Sequence, residues 1–307
     1  MNLQIIKKYV NNPKLILFWV IAKFPKLISS DELFLRIKYY INFEKWPDLA
    51  NPISFSEKLQ WLKLYDRKPE YVKMVDKADA KPYVASIIGD EYIIPTLGVY
   101  NSVEEIDFDV LPNKFVLKCT HDSGGVVICK DKFMLDRKTA IKKLNKCLNR
   151  NFFWQTREWP YKQVRPRIIA EKYMENSKGG GELRDYKFFC FSGGPKYCQV
   201  ISDRNTLMCI DFFDKKWDHQ PFHEPREFPF SDKQIPRPVN YEKMWELAST
   251  LSKGHPFLRV DFYEIDEKIY FGELTFFPTS GVGGFLPNEW DYTFGSYIKL
   301  PEIEKER

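Results

Sequence analysis

Apolar and polar residues alternate along Leu258–Gly284, LRVDFYEIDEKIYFGELTFFPTSGVGG, and this period of two predicts a pair of β-strands with a tight connection. The strands run Leu258–Ile265 and Ile269–Thr275. With Asp266, Glu267 and Lys268 as the loop, Asp261 falls directly opposite Glu273. Directly opposed side chains of an antiparallel pair share a face, with Cβ atoms about 4.5–5.5 Å apart. A two-residue loop would send the two carboxylates to opposite faces, because a slip of one residue reverses the pleat.

Other periodicities fill in the rest of the chain. Residues 31–75 read as helical, and Ser54 with Glu57 has the spacing of a capping box. The helix opened there turns Leu59, Leu62 and Tyr65 to one face. Asp76-Lys77 begins another short helix, through about Ile88, and Tyr92–Tyr100 is a short strand leaving a proline bend. Phe115–Thr120 and Val126–Lys130 are strands joined by the loop His121–Gly125. A helix covers Arg137–Arg150, with Ile141, Leu144 and Leu148 on one face. The strand Arg167–Met174 leads into the loop Glu175–Gly181. Leu183–Phe191 and Lys196–Ser202 make a hairpin around Gly193-Gly194, and Leu207–Phe213 adds a strand. Residues 214–238 form a long Pro- and charge-rich loop able to cover a site, and Tyr241–Ser252 is a helix.

Composition narrows the class. A chain of 307 residues, 44% hydrophobic and 16% aromatic, is long enough for a large core in two or three lobes. A net charge of +5 is too mild to argue for nucleic acid. Cys119, Cys129, Cys147, Cys190, Cys198 and Cys209 lack metal-type pair spacing and read as reduced core residues of a cytosolic protein. Residues 1–30 carry five lysines and no acidic residue. The apolar run Leu15–Ala22 is eight residues long, short of the roughly 20 that span a bilayer, and no small-residue cleavage site follows it. It reads either as a basic amphipathic segment on an anionic membrane surface or as a core-facing stripe of Leu15, Phe18, Trp19 and Ala22.

Candidate chemistry gathers in three places. Two carboxylates held face to face repel unless a cation or a proton lies between them, and Mg²⁺ suits such a pair. Arg259 lies two residues from Asp261 on the same strand face. In the loop His121–Gly125, Gly124 and Gly125 can take backbone angles that let amides converge on an anion, and Lys118 can reach a phosphate held there. The spacing is neither a Walker A loop nor G-x-G-x-x-G. Glu171, followed by the backbone from Lys172 through Tyr173 to Met174 and a glycine hinge, suits an adenine site between lobes. Asp185 and Lys187 share one face of the next strand. A solvated hairpin and a purely structural glycine turn are the competing readings, and no Ser/His/Asp or Cys/His arrangement stands out.

The order of these features resembles the ATP-grasp superfamily, and most nearly its TupA-like branch, associated with teichuronopeptide and capsular polysaccharide biosynthesis. The resemblance covers about residues 52–290 and rests on PISFSEKLQWLKLYDRKPEY, DEYIIPTLGVY, LPNKFVLKCTHDSGG and LRDYKFFCFSGGPKY. It implies an α+β fold of two lobes gripping ATP between antiparallel sheets. The chain then divides into a basic N-terminal helical extension (1–50), a helical or α+β region (51–113), a small lobe with the glycine-rich loop (114–175) and a larger lobe with the metal hairpin (176–307). By the same resemblance Lys77 and Lys118 hold phosphates, and the loop with His121, Ser123, Gly124 and Gly125 closes over them. Glu171 to Met174 meets adenine, and Asp185, or Glu182, the ribose. Arg259, with Lys187, stabilises the transferring phosphoryl group; Asp261, Glu273 and Thr275 hold Mg²⁺, as two ions in the family pattern. Thr275 stands where the family usually has Asn. The implied reaction is ATP-dependent carboxylate–amine ligation through an acyl phosphate. The acceptor is a uronic acid or other glycan-precursor carboxylate, and the alternatives are a kinase, a glycosyltransferase or a non-catalytic nucleotide-binding module.

Overall fold

The computed structural model describes residues 21, 23–177, 183–203, 207–224 and 228–302. The expectations placed on residues 1–20 and 22, on Glu182 and on the glycine hinge 179–181 therefore lie outside the described residues.

Two antiparallel sheets organise the chain. The small one has the order β1-β4-β2-β3 and the large one β7-β6-β5-β8-β9. The strands of the small sheet are β1 (Thr96–Tyr100), β2 (Phe115–Cys119), β3 (Val126–Cys129) and β4 (Ile168–Lys172). Because β1 pairs with β4, residues from Thr96 onward belong to the small lobe, earlier than the boundary at 114 drawn from the sequence. Along β2 burial alternates: Phe115, Leu117 and Cys119 face a core that includes Ala140, Leu144 and Cys147 of helix Arg137–Leu148, while Val116 and Lys118 face the other way.

The large sheet comprises β5 (Asp185–Phe191), β6 (Gly194–Ser202), β7 (Cys209–Phe213), β8 (Phe257–Ile265) and β9 (Lys268–Thr275). Every residue of β5 is buried, because both of its faces are covered. On one face lies the helix Tyr241–Ser252, which contributes Met244, Trp245, Ala248 and Leu251. On the other, Phe189 and Phe257 meet Phe55 and Phe294, with the Phe55 and Phe257 ring centroids 5.0 Å apart. Each fully buried aromatic side chain contributes about 1.5–3 kcal/mol. That second face is apolar at one end and polar at the other: moving along the strands from Phe189 and Arg259, the next opposed pair is Lys187 and Asp261.

Among the described residues, the helices α1 (Asp31–Phe43), α2 (Phe55–Tyr65), α3 (Glu70–Val75) and α4 (Ala80–Ile88) precede the sheets. The α2 capping box is formed in both directions, Glu57 N–H donating to Ser54 Oγ at 3.2 Å and Ser54 N–H to Glu57 Oε2 at 3.2 Å. Leu59 and Leu62 are buried, but Tyr65 turns to solvent. Arg157, wholly buried, ties α1 to the body through Asp31 at 3.2 Å and through the Phe34 ring at 4.4 Å. All six cysteines are buried and free. No helix among the described residues is long and apolar enough to cross a membrane.

Candidate active site

The β8–β9 hairpin places the two carboxylates together by a different route from the one the sequence suggests. Ile265 pairs with Lys268, so the loop is only Asp266 and Glu267. Both have positive φ, 51° and 58°, as the two central residues of a type I′ turn require. Continued regularly, this register would set Gly272 opposite Asp261. The ladder shifts between Asp261 and Phe262, however, and the extra residue on β9 is Gly272. Phe271 then faces the core with Phe262, while Glu273 lies opposite Asp261 and Thr275 opposite Arg259. A Cβ at position 272 would come within 3.1 Å of the Asp261 carbonyl oxygen, which suits glycine there. The bulge supplies the residue that a three-residue loop would have supplied.

The cation between the carboxylates is Arg259, where the sequence reading puts Mg²⁺. Its guanidinium donates to Asp261 Oδ1 at 2.7 Å and Oδ2 at 2.8 Å, and to Glu273 Oε1 at 2.7 Å. It also donates to Thr275 Oγ1 at 3.0 Å, and that hydroxyl donates to Glu273 Oε1 at 3.2 Å. Lys187, directly across on β5, ion-pairs with Asp261 Oδ2. Burial pushes the Glu273 carboxyl up, but Arg259, Lys187 and Lys77 outweigh it and hold it at about 2. Burial alone would lower the Arg259 pKa, yet Asp261 and Glu273 raise it above its ordinary value. Two carboxylates and a hydroxyl form a hard oxygen donor set of the kind Mg²⁺ takes. Among the described residues no group of three or more carboxylate, histidine or cysteine side chains is positioned to hold an ion. An ion here would therefore complete its shell with phosphate oxygens and water.

On the small-lobe side, Lys118 ion-pairs with Glu171 Oε2 at 2.6 Å, and Lys81 with the other oxygen. Burial raises the Glu171 pKa, but the two lysines dominate and lower it. This carboxylate carries one ammonium group on each of its oxygens. The Lys172 N–H donates to Pro95 O at 3.0 Å, so that amide too is already engaged. Tyr173 and Met174 follow β4, half-buried. Lys77 Nζ donates to the Asp122 carbonyl at 2.6 Å, which places it beside the loop His121–Gly125.

That loop is built differently from the expectation. The His121 ring is buried, and its Nε2 donates to the Cys147 and Arg150 carbonyls at 3.1 and 3.0 Å, so the imidazole braces a helix end. Asp122 is buried against Arg150. Neither Gly124 nor Gly125 has a positive φ. Gly125 is needed for space: a Cβ there would fall 2.7 Å from Cys119 Sγ and nearer still to Cys147 Sγ.

A cavity of about 630 Å³ opens over the Arg259–Thr275 end of the hairpin, against α1, the segment 152–161 and the turn after β9. It brings together Lys77 and Ser123 from the small-lobe side with Arg259, Glu273 and Thr275 from the hairpin. Lys118, His121, Gly124, Gly125, Glu171, Lys172, Tyr173, Met174, Asp185, Lys187 and Asp261 do not line it. Lys187 and Asp261 stand directly behind its hairpin wall, and Asp185 is buried two residues along β5 from Lys187. Sequence reading misses Lys38, Glu158, Tyr161 and Ser280, which also line the cavity. They come from α1, from the segment after helix Phe153–Thr156 and from the turn after β9, and no shared motif links them. Lys81 had one signal, its place four residues after Lys77, on the same side of a helical turn.

Two antiparallel sheets, with Lys81 and Lys118 paired on the small one and an Arg-bridged carboxylate pair on the large one, define an ATP-grasp architecture. The model of the TupA-like ATPgrasp family matches residues 57–299, and the chain belongs to that family. Among solved structures it is similar to a D-alanine–D-alanine ligase from Bacillus anthracis complexed with ATP. The identity is 16% and the TM-score 0.37, over 66% of this chain and 53% of that one. For a D-alanine–D-alanine ligase from Helicobacter pylori the identity is 14% and the TM-score 0.40, over 80% and 69% of the two chains. For a phosphoribosylamine–glycine ligase from Thermotoga maritima the values are 12% and 0.36, over 67% and 48%. The chain spans about half the length of the first of these ligases. Among curated proteins it has no match.

Proposed function

We propose that this protein is an ATP-dependent ligase that activates a carboxylate as an acyl phosphate and passes the acyl group to an amine, releasing ADP and phosphate. The observation that carries the reading is the Arg259-bridged pair Asp261–Glu273, with Glu273 and Arg259 in the same cavity as Lys77. Mg²⁺ held by Asp261, Glu273 and Thr275 would neutralise the triphosphate. Glu273 is ionised at neutral pH and needs no deprotonation before it serves as a ligand. Arg259 presents fixed donors where negative charge spreads over the transferring phosphoryl group. Lys187 holds Asp261 in place from the neighbouring strand. Lys77 and Lys118, each anchored by the small lobe, offer positive charge to the phosphates. Catalysis of this kind is positioning and electrostatics, and it asks for no nucleophilic side chain.

The family's association with teichuronopeptide and capsular polysaccharide supports a uronic acid or related glycan-precursor carboxylate as acceptor, with an amino acid or amine as partner. Contact of the basic residues 1–30 with an anionic membrane surface belongs to the same proposal, and co-sedimentation with anionic vesicles that weakens as salt rises would support it. Trapping with hydroxylamine tests the reaction class. A hydroxamate formed together with ADP is expected; a stable phosphorylated product with ADP would make the protein a kinase, and no ATP turnover with any carboxylate would sink the ligase reading.

A further inference from the structure

The cavity wall away from the hairpin sets two lysines against one carboxylate. Lys63 of α2 is fully buried, and its three N–H donors are spent on the Thr156 carbonyl at 3.0 Å, the Ser280 carbonyl at 2.8 Å and Ser280 Oγ at 3.0 Å. Lys38 of α1 donates to the same hydroxyl at 3.0 Å and to the Gln155 carbonyl at 3.2 Å. That leaves one Lys38 donor uncommitted among the described residues. Glu158 is the acidic side chain of this wall, and it lies beyond 4.0 Å of both ammonium groups, outside ion-pair range. Burial raises the Glu158 pKa against the pull of the two lysines. Burial likewise lowers Lys38 to about 8, and Lys63 well below its ordinary value, despite Glu158. Burial disfavours the charged form of both lysines, and one carboxylate outside ion-pair range does not offset it, so an anion arriving at Lys38 would stabilise that charge.

The backbone that presents Ser280 is itself unusual. Thr279, Ser280 and Gly281 take φ of 50°, 56° and 64° in succession, a left-handed run with a β-branched residue at its start. Two non-glycine residues in this region store strain, and the segment is held down by the bonds from Lys63 and Lys38 and by Gln60, which donates to the Gly281 carbonyl at 2.7 Å. The run begins four residues after Thr275, so it links the carboxylate hairpin directly to the lysine wall of the same cavity.

We propose that Lys38, backed by Lys63 and oriented by the Ser280 hydroxyl, docks a second anionic group of the acceptor, so that the acceptor is at least a dianion. One carboxylate reaches the Arg259–Glu273 end and the other anionic group, carboxylate or phosphate, reaches Lys38. This assignment rests on the ligase reading for the first carboxylate only. A cavity of about 630 Å³ accommodates a sugar acid spanning both ends. Lys38 acts as a specificity-determining residue.

Three six-carbon probes separate the possibilities: glucuronate with one carboxylate, glucarate with two, and glucuronate 1-phosphate with a carboxylate and a phosphate. Calorimetric binding of each, and ADP release with hydroxylamine as the amine, are measured on the full chain and on Lys38→Met and Lys38→Arg. At least one dianion is expected to bind the parent ten times or more tightly than glucuronate, and which of the two binds better identifies the second group. Lys38→Met should erase that preference and Lys38→Arg should keep most of it. Equal binding of all three probes by the parent, none included, overturns the proposal, as does a preference that survives in Lys38→Met. If the preference appears and depends on Lys38 while no ADP is released, the anion site stands and the ligase reading falls. ADP release with a preference indifferent to Lys38 has the opposite meaning.

Discussion

At the scale of single residues, the ionisable groups divide into those fixed by partners and those fixed by burial. Asp261 is only 2% exposed and its two oxygens serve Arg259 and Lys187. Removing one partner of a buried ion network leaves uncompensated charge, at a cost of about 3–5 kcal/mol. Asp261→Asn is therefore expected to lower stability strongly in urea denaturation, although like-charge repulsion considered alone points the other way. Glu273 keeps 44% of its side chain accessible, so Glu273→Gln should cost much less. Equal stability of the two variants would show that the network does not hold Asp261. His255 illustrates burial: it packs against Tyr71 and Phe276 and its pKa falls to about 4, chiefly from desolvation. With a folded pKa below the unfolded value of 6.5, the unfolded chain binds more protons, and stability is lost as pH falls from about 6.5 toward 4. Denaturation at pH 7 and pH 5 should differ by about 2 kcal/mol from this group alone. His255→Phe should remove that part of the pH dependence, and an unchanged slope would exclude the histidine as its source.

At the scale of elements, the β8–β9 hairpin is the piece on which the site depends. Its turn sets one register and its bulge at Gly272 sets another, and only the second turns Glu273 toward Asp261. A side chain at 272 would press on the Asp261 carbonyl and on the Tyr263 ring, 3.1 and 3.2 Å from the added Cβ. Gly272→Val is thus expected to cost about 1–3 kcal/mol of stability. It should reduce turnover more than that loss explains, because Glu273 is displaced with the bulge. A melt lowered with turnover per folded molecule intact would mean that the carboxylate alignment survives without glycine.

At the scale of the whole molecule, the nucleotide is proposed to bridge the two sheets, so its binding should couple them. Mg·ATP is expected to raise the melting temperature of the parent by mass action, and to do so much less in Glu273→Gln. Lys118→Ala removes charge from the opposite lobe while Lys81 still neutralises Glu171, so the fold should persist. Its affinity for Mg·ATP should fall by about 1.5–3 kcal/mol, the range for a charge-assisted hydrogen bond. Calorimetry with unchanged affinity would take Lys118 out of the nucleotide site.

Local signals were enough for much of this architecture. The capping box at Ser54, the limits of the helix Tyr241–Ser252 and the strands around Lys118 and Asp261 follow from periodicity and turn chemistry within a few residues, because the forces that set them act over that range. The pairing of Asp261 with Glu273 was also legible, though by a count that placed the extra residue in the loop when it sits at Gly272. What only the tertiary structure decided is who neutralises whom. Arg259 fills the gap between the carboxylates, Glu171 is shared by Lys81 and Lys118, and His121 turns inward to brace a helix end. Lys38, Lys63, Glu158 and Ser280 meet from four separate segments to shape one wall of the cavity. An ion pair or a desolvated amine is fixed by whichever element packs opposite, and that long-range choice leaves no period, spacing or motif in the chain.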